Sequence, residues 1–113
     1  MPRRTHTTPF TLAFGGRMRA LRLELGMSLD QLARKTGISK GHLSTIELGF
    51  AAISTESIQR IARGLDLSPL LLFAFPQEDK LSRIVDLLRQ VPTTRYKRLR
   101  KILEGWIAEA DKA

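Results

Sequence analysis

Residues 29–48 have the sequence LDQLARKTGISKGHLSTIEL, and they contain the strongest signals for the fold. Ser28, which directly precedes it, and Gln31 have the spacing of a capping box, which opens a helix. Gly37 can adopt the left-handed turn conformation without steric cost, so it can end that helix. Ser39 can then cap a second helix. The stretch therefore predicts two short helices joined by a tight turn.

The apolar and polar residues of this stretch separate onto different sides. Two helices that cross closely around a turn need a small residue at their contact, and Ala33 has that position. The apolar residues at the offsets that anchor both helices to a core are Leu32, Ile38, Leu43 and Ile46. The polar residues left to project from the second helix are Ser39, Lys40, His42, Ser44 and Thr45.

Further short helices are predicted on both sides of this pair. Met18, Leu21 and Leu25 have helical spacing, and Gly26 can end the helix that contains them. Ser54 or Thr55 can cap a further helix. Ser68 can cap another one that has Pro69 as its first residue. Five short helices predict a compact all-α domain at residues 13–76. Residues 1–12 are predicted to form an irregular basic arm, and the pair Gly15-Gly16 is interpreted as a helix entry.

The remaining residues, 77–113, predict two more helices. Gln77 to Asp79 begin the first helix with acidic residues in its first turn, where the helix dipole favours them. Thr93 or Thr94 caps the second helix. A unit of this size cannot bury both apolar stripes alone, so it either folds back on the domain or pairs with another chain. We favour pairing, through Leu81, Ile84, Leu88, Tyr96, Leu99, Leu103 and Trp106.

Composition narrows the classes of function. Nineteen Lys and Arg stand against eleven Asp and Glu, so the formal net charge is +8, which favours nucleic acid or an anionic membrane surface as partner. The chain has no cysteine, and His6 and His42 are too few and too scattered for a metal centre. No apolar run approaches the roughly 18 residues of a membrane span. We therefore expect a soluble cytoplasmic protein with no metal, no cofactor and no enzymatic activity.

The sequence resembles the lambda-repressor and Cro type of helix-turn-helix, the XRE family. The likeness extends over about residues 15–73, through RALRLELGMS at 19–28, Leu32-Ala33, Gly37 and Ile46-Glu47-x-Gly49. This resemblance implies a five-helix lambda-repressor-like domain that binds double-stranded DNA, with residues 39–47 as the recognition helix in the major groove.

The resemblance also implies roles for individual residues. Those at base-facing positions are Lys40, Gly41, Ser44 and Thr45, and those expected at the DNA backbone are Arg17, Arg19, Ser28, Ser39 and His42. Gly41 either permits close approach to DNA or is merely tolerated, and Arg17 and Arg19 either contact phosphate or form a solvated basic face. Arg22 and Glu47 match a structural ion pair. Leu29 stands where relatives commonly have a phosphate-binding Gln.

The overall layout is similar to repressors of the SinR family, which join such a domain to a two-helix multimerisation hook. This layout implies a homodimer or higher oligomer that binds a palindromic operator as a bacterial or phage-encoded regulator, with repression favoured. In that family the hook also binds a small antagonist protein, which is only a hypothesis for this chain. The alternative is an antitoxin that binds its toxin through the tail and autoregulates its operon. Arg3 and Arg4 of the arm could reach a DNA groove, although disorder is the alternative.

Overall fold

The computed structural model describes residues 6–112. Within that range the backbone forms seven α-helices and no strand, which confirms the all-α prediction. In chain order the helices are α1 (Pro9–Glu24), α2 (Leu29–Thr36), α3 (Lys40–Glu47), α4 (Thr55–Gly64), α5 (Pro69–Leu72), α6 (Lys80–Leu88) and α7 (Tyr96–Lys112). A short 3₁₀ turn, Thr93–Arg95, precedes α7. The described part of the chain is elongated, 53 × 29 × 22 Å.

Helices α1 to α5 pack around one apolar core. The four predicted anchors of the α2–α3 pair are all buried in it. The other fully buried large side chains of this core are Phe14, Met18, Leu21, Ile61, Leu65 and Leu72. Ala33 is partly buried against the same cluster. Because α3 is anchored through Leu43 and Ile46, its other side remains available for a partner.

Local capping chemistry explains where the middle helices begin and end. Ser28 and Gln31 form the predicted reciprocal capping box, with the Ser28 hydroxyl accepting from the Gln31 amide at 3.1 Å. The Ser39 hydroxyl caps α3 by accepting a hydrogen bond from the His42 amide. Gly37 has φ = 75°, the left-handed conformation that the turn requires. These predictions from spacing alone are confirmed because each depends on atoms only a few residues apart.

The N-terminal part of the chain departs from the prediction. Helix α1 already begins at Pro9, so residues 9–12 are helical instead of belonging to an arm. The reason is a second capping box, in which Thr8 and Thr11 bond reciprocally, followed by proline at the first helical position. Gly15 and Gly16 consequently lie inside α1 and do not mark its entry. The basic pair Arg3-Arg4 lies outside the described residues.

The C-terminal part also differs in detail from the prediction. The acidic residues 78 and 79 precede α6, and Asp79 is its N-cap, accepting a hydrogen bond from the Ser82 amide at 2.7 Å. No threonine caps α7, because the 3₁₀ turn over Thr93–Arg95 runs directly into it without a side-chain cap. Helices α6 and α7, which are called the hairpin below, line an apolar groove together with α5. None of the residues described for α7 is buried.

Candidate nucleic-acid interface

Helix α3 presents a polar surface on the side away from the core. Lys40 and Gly41 are exposed, and Ser44 and Thr45 are half-buried along the same helix. The Ser39 hydroxyl accepts from the His42 amide at 3.1 Å, which orders the N-terminal turn of the helix. The structure thus brings the sequence-predicted base-facing positions together on one short helix.

Two of these positions have a defined local geometry. The Thr45 hydroxyl donates to the Gly41 carbonyl at 2.9 Å, which orients the side chain and leaves its methyl as the apolar group. A Cβ added at Gly41 would meet no atom within 4 Å. The protein itself therefore imposes no steric requirement for glycine at this position.

Lys40 makes a weak contact with a carboxylate of the neighbouring helix. Its Nζ lies 3.4 Å from the Asp30 carboxylate at the start of α2, and both side chains are more than half exposed. An exposed pair of this kind contributes little to stability because water and salt screen it. The ammonium group is therefore free to exchange this partner for another acceptor.

The predicted pair of Arg22 and Glu47 joins α1 to the end of α3. The Arg22 guanidinium donates two bonds to the Glu47 carboxylate, at 2.7 and 3.0 Å, and a third to the Met27 carbonyl at 2.8 Å. The hydrogen bond to Glu47 outweighs the effect of burial and raises the pKa of Arg22. Both side chains are nearly buried, so Glu47 fixes α3 in place and is not positioned to read a base.

Gly15 provides the second fixed point between α1 and α3. A Cβ at this position would lie 2.4 Å from the Ile46 carbonyl oxygen and 2.5 Å from that of Glu47. Only glycine allows the two helices to approach this closely. Sequence reasoning missed this role, although a glycine inside a helical pattern is itself a signal of a packing requirement.

The expectation that Arg17 contacts DNA phosphate is wrong. Its side chain is 7% exposed and faces the body of the protein. Its Nε donates to the Leu71 carbonyl of α5 at 2.9 Å, and an Nη donates to the Asp86 carboxylate of α6 at 2.6 Å. The guanidinium is therefore committed to contacts within the chain.

The other predicted backbone residues have different surroundings. Arg19 is exposed and lies about one turn from both Gly15 and Arg22, the residues of α1 that contact α3. Ser28 is exposed, and its hydroxyl oxygen already serves as the cap of α2. Leu29, in place of the glutamine of relatives, packs against the core.

Within residues 6–112, no group of His, Cys, Asp and Glu side chains is arranged to hold a metal ion. None of the described helices is long and apolar enough to cross a membrane.

Comparison with known proteins gives the family. The helix-turn-helix family model matches residues 18–72. The restriction-modification controller protein C.AhdI from Aeromonas hydrophila is 32% identical, and the match covers 58% of this chain and 100% of that chain with a TM-score of 0.58. The chain belongs to this helix-turn-helix family.

Two other solved structures are similar over different lengths. In the SinR protein–SinI protein complex, the match is 29% identical with a TM-score of 0.62 and covers 87% of this chain and 98% of that chain. The clp gene regulator ClgR from Corynebacterium glutamicum is 28% identical with a TM-score of 0.55, covering 57% of this chain and 84% of that chain. A search of the curated proteins finds no match.

These findings establish the class of protein. The predicted XRE-type, lambda-repressor-like fold is confirmed, and over most of the chain this fold resembles that of SinR. The family and fold are those of DNA-binding transcriptional regulators and not of enzymes. In this helix-turn-helix regulator, α2 and α3 are the two helices of the motif.

Proposed function

We propose that this regulator is a homodimeric repressor that binds a palindromic operator through α3. The observation that carries the proposal is the separation of two exposed surfaces on one chain. The polar side of α3 lies on the helix-turn-helix domain, whereas the apolar side chains of the hairpin lie at the opposite end of the sequence. One surface suits DNA and the other suits a second copy of the chain.

Specific base contacts are assigned to the polar side of α3, at Lys40, Gly41, Ser44 and Thr45. The exposed Lys40 ammonium can donate to guanine O6 or N7, and the Thr45 methyl can contact a thymine methyl. Ser44 supplies a hydroxyl that can donate or accept. Gly41 brings the helix backbone close to the base edges because no side chain intervenes.

Backbone contacts are assigned to the residues that flank this helix. They are Arg19, Ser28, Ser39 and His42. Contacts to phosphate orient the domain but carry no sequence information directly. Leu29 has no polar group that could bind a phosphate as the glutamine of relatives does. The backbone amides at the start of α2 can bind the phosphate instead.

The exposed apolar residues of the hairpin support a dimer. Leu81, Ile84 and Trp106 are each more than half exposed, which is unusual for large apolar side chains that have no partner. The other residues of the proposed interface are Leu88, Tyr96, Leu99 and Leu103, which line an apolar groove beside α5. A two-fold pair would present two α3 helices to half-sites about 34 Å apart.

The proposal is tested by selecting bound DNA from a random pool and sizing the resulting complex. We expect an enriched palindrome with half-sites separated by about one helical turn or a multiple of it, and two chains per operator. Recovery of a single half-site bound by a monomer would contradict the dimer. Reporter transcription with the selected operator then distinguishes repression from activation.

The assignment of Lys40 is tested on that operator. Lys40→Ala should weaken specific binding by about 1–3 kcal/mol, since a base contact is lost while the fold is retained. Lys35→Ala is the matched control, an exposed lysine at the end of α2 that is not assigned to DNA. Equal affinities of both variants and the wild type, measured by fluorescence anisotropy, would remove Lys40 from the base-reading set.

A second candidate function is an antitoxin or another regulator controlled by a protein partner. It is favoured by the long match to the SinR protein–SinI protein complex together with the exposed apolar hairpin. Such a partner would compete with the second copy of the chain for the same surface. A toxin-like gene beside the gene for this chain would favour the antitoxin. In either case the regulator would act in the cytoplasm, where the operator lies.

A further inference from the structure

Helix α6 is attached to the helix-turn-helix domain by charged groups. Arg17 of α1 is at the centre, with one bond to the Leu71 carbonyl and another to Asp86 of α6. Since its guanidinium is buried, these directional bonds hold three helices in a fixed relation.

The contacts continue across the same junction. The Arg89 Nε donates to the same oxygen of Asp86 at 2.7 Å, and an Nη of Arg89 lies 2.7 Å from the Glu24 carboxylate at the end of α1. The four side chains alternate in charge, and we call Glu24, Arg89, Asp86 and Arg17 the junction network. It joins both the middle and the C-terminal end of α1 to α6.

The faces of α6 show why this network is important for the placement of the hairpin. The residues turned toward the domain are Ser82, Val85, Asp86 and Arg89, which follow the i, i+3, i+4, i+7 spacing of one helix face. The apolar residues Leu81, Ile84 and Leu87 are exposed on the other side. Apolar packing is non-directional, whereas bonds to a planar guanidinium require a defined geometry. The attachment of α6 is therefore selective for orientation.

We propose that the junction network sets the orientation of the hairpin relative to α3 and thereby sets the half-site spacing that the dimer accepts. This inference rests on the proposed function, because a spacing exists only for a dimer on a two-fold operator. In such a dimer the distance between the two α3 helices depends on how each domain is held on the shared hairpins. Asp86 and Arg89 act through this geometry as positioning residues, without contacting DNA.

The orientation is measured first without DNA. The chain has no cysteine, so single cysteines at the exposed positions Lys35 and Lys101 allow specific spin labelling within one chain, diluted with unlabelled chain. The wild type should give one narrow distance distribution, and Arg89→Ala should broaden or shift it. Arg83→Ala is the matched control, since the side chain of this exposed arginine of α6 donates to the Pro76 carbonyl, at 3.3 Å, and lies outside the junction network. A distribution unchanged by Arg89→Ala would overturn the proposal.

The spacing preference is then measured on palindromes whose half-sites are moved apart or together by single base pairs. Arg89→Ala should remain folded and dimeric. The wild type should prefer one spacing over spacings that differ by one base pair, and in Arg89→Ala this ratio of affinities should fall by about fivefold or more. Arg89→Lys, which keeps the charge near Glu24, should restore part of the preference, and Arg83→Ala should leave it unchanged. An unaltered preference in Arg89→Ala would refute the role in spacing.

The two proposals fail in different ways. If the wild type binds no palindrome or is monomeric, the proposed function fails, whatever the variants do. If the wild type binds a palindrome as a dimer while Arg89→Ala retains its distance distribution and spacing preference, only the junction network proposal fails.

Discussion

Three arginines of α1 have different surroundings although they are the same residue type. Arg17 is buried and bonded to α5 and α6, Arg22 is paired with Glu47, and Arg19 is exposed. A buried guanidinium that already has carboxylate and carbonyl partners cannot serve a phosphate without breaking those bonds. Of the three, only Arg19 is available for a backbone contact with DNA. Basic character alone therefore does not identify a DNA contact.

Substitution of Gly41 distinguishes a glycine that is needed for close approach to DNA from one that has no such role. Gly41→Ala should stabilise the free protein by up to about 1 kcal/mol, because alanine favours the helix and the added Cβ meets open space. If glycine permits close approach to DNA, the same variant should bind its operator more weakly. Thermal unfolding and operator titration measure the two effects.

The control for this variant is Gly16→Ala, at an exposed glycine of α1 where an added Cβ also meets no atom within 4 Å. It should show the stabilisation and leave DNA binding unchanged. Equal DNA affinity of Gly41→Ala and the wild type would assign Gly41 to the tolerated class.

At the scale of the elements, the orientation of α3 depends on its crossing with α1. The crossing combines a close approach at Gly15 with the bidentate pair between Arg22 and Glu47. The first contact sets the separation of the helices, and the second sets the register of the C-terminal end of α3. Together they hold α3 against the domain independently of DNA.

Gly15→Ala should destabilise the protein, since the new methyl group would overlap two backbone carbonyl oxygens that cannot move without displacing α3. We expect a loss of about 1–3 kcal/mol in the free energy of unfolding, measured by urea denaturation. Gly16→Ala, one residue away, should instead be neutral or stabilising. A Gly15→Ala protein as stable as Gly16→Ala would show that the helices do not cross this closely.

The hairpin is the other element whose role can be tested directly. Trp106→Glu places a charge on the exposed apolar side of α7 and should weaken dimerisation by about 2 kcal/mol or more. Lys101→Glu changes charge on the same helix but on its polar side, and it should leave the dimer intact. Sedimentation equilibrium compares the two, and an intact Trp106→Glu dimer would place the interface elsewhere.

At the scale of the whole molecule, charge is divided between the two parts. Residues 1–76 hold ten basic and five acidic residues, and residues 77–113 hold nine and six. Part of this charge pairs across the boundary between the parts, through the junction network. These pairs cancel within the net charge of +8, but they leave fewer than the nineteen Lys and Arg side chains available to DNA.

The junction network predicts a dependence of stability on pH. Burial would raise the pKa of Asp86, but hydrogen bonds from Arg89 and Arg17 outweigh it and hold this pKa below its ordinary value. The carboxylate thus stabilises the folded state above the unfolded pKa of about 3.9, and this contribution is lost as the pH falls through the folded pKa.

Asp86→Asn should accordingly be about 1–3 kcal/mol less stable than the wild type at pH 7, and the difference should shrink below about pH 4. Urea denaturation at both pH values measures it. Asp111→Asn, at an exposed position near the end of α7, should show no such difference. A constant difference between Asp86→Asn and the wild type across this range would contradict the ionic role of Asp86.

The sequence by itself determined the features that depend on near neighbours. The cap at Ser28, the left-handed turn at Gly37 and the apolar spacing of the α2–α3 pair follow from interactions within a few positions of the chain. Those features predicted the helix-turn-helix motif and the side of α3 that faces outward. Their signals are local, so they can be read without knowing where the rest of the chain lies.

Only the tertiary structure decided which side chains remain free. Arg17 meets Asp86 across 69 positions of sequence, and the pair of Arg22 and Glu47, 25 positions apart, was expected only from the family resemblance. The glycine at the α1–α3 crossing likewise depends on carbonyl groups far along the chain. Neither the composition of the chain nor its helical periodicity gives information about such distant pairs. The physical reason is that burial and ion pairing depend on distances in space, which arise only once the helices have packed.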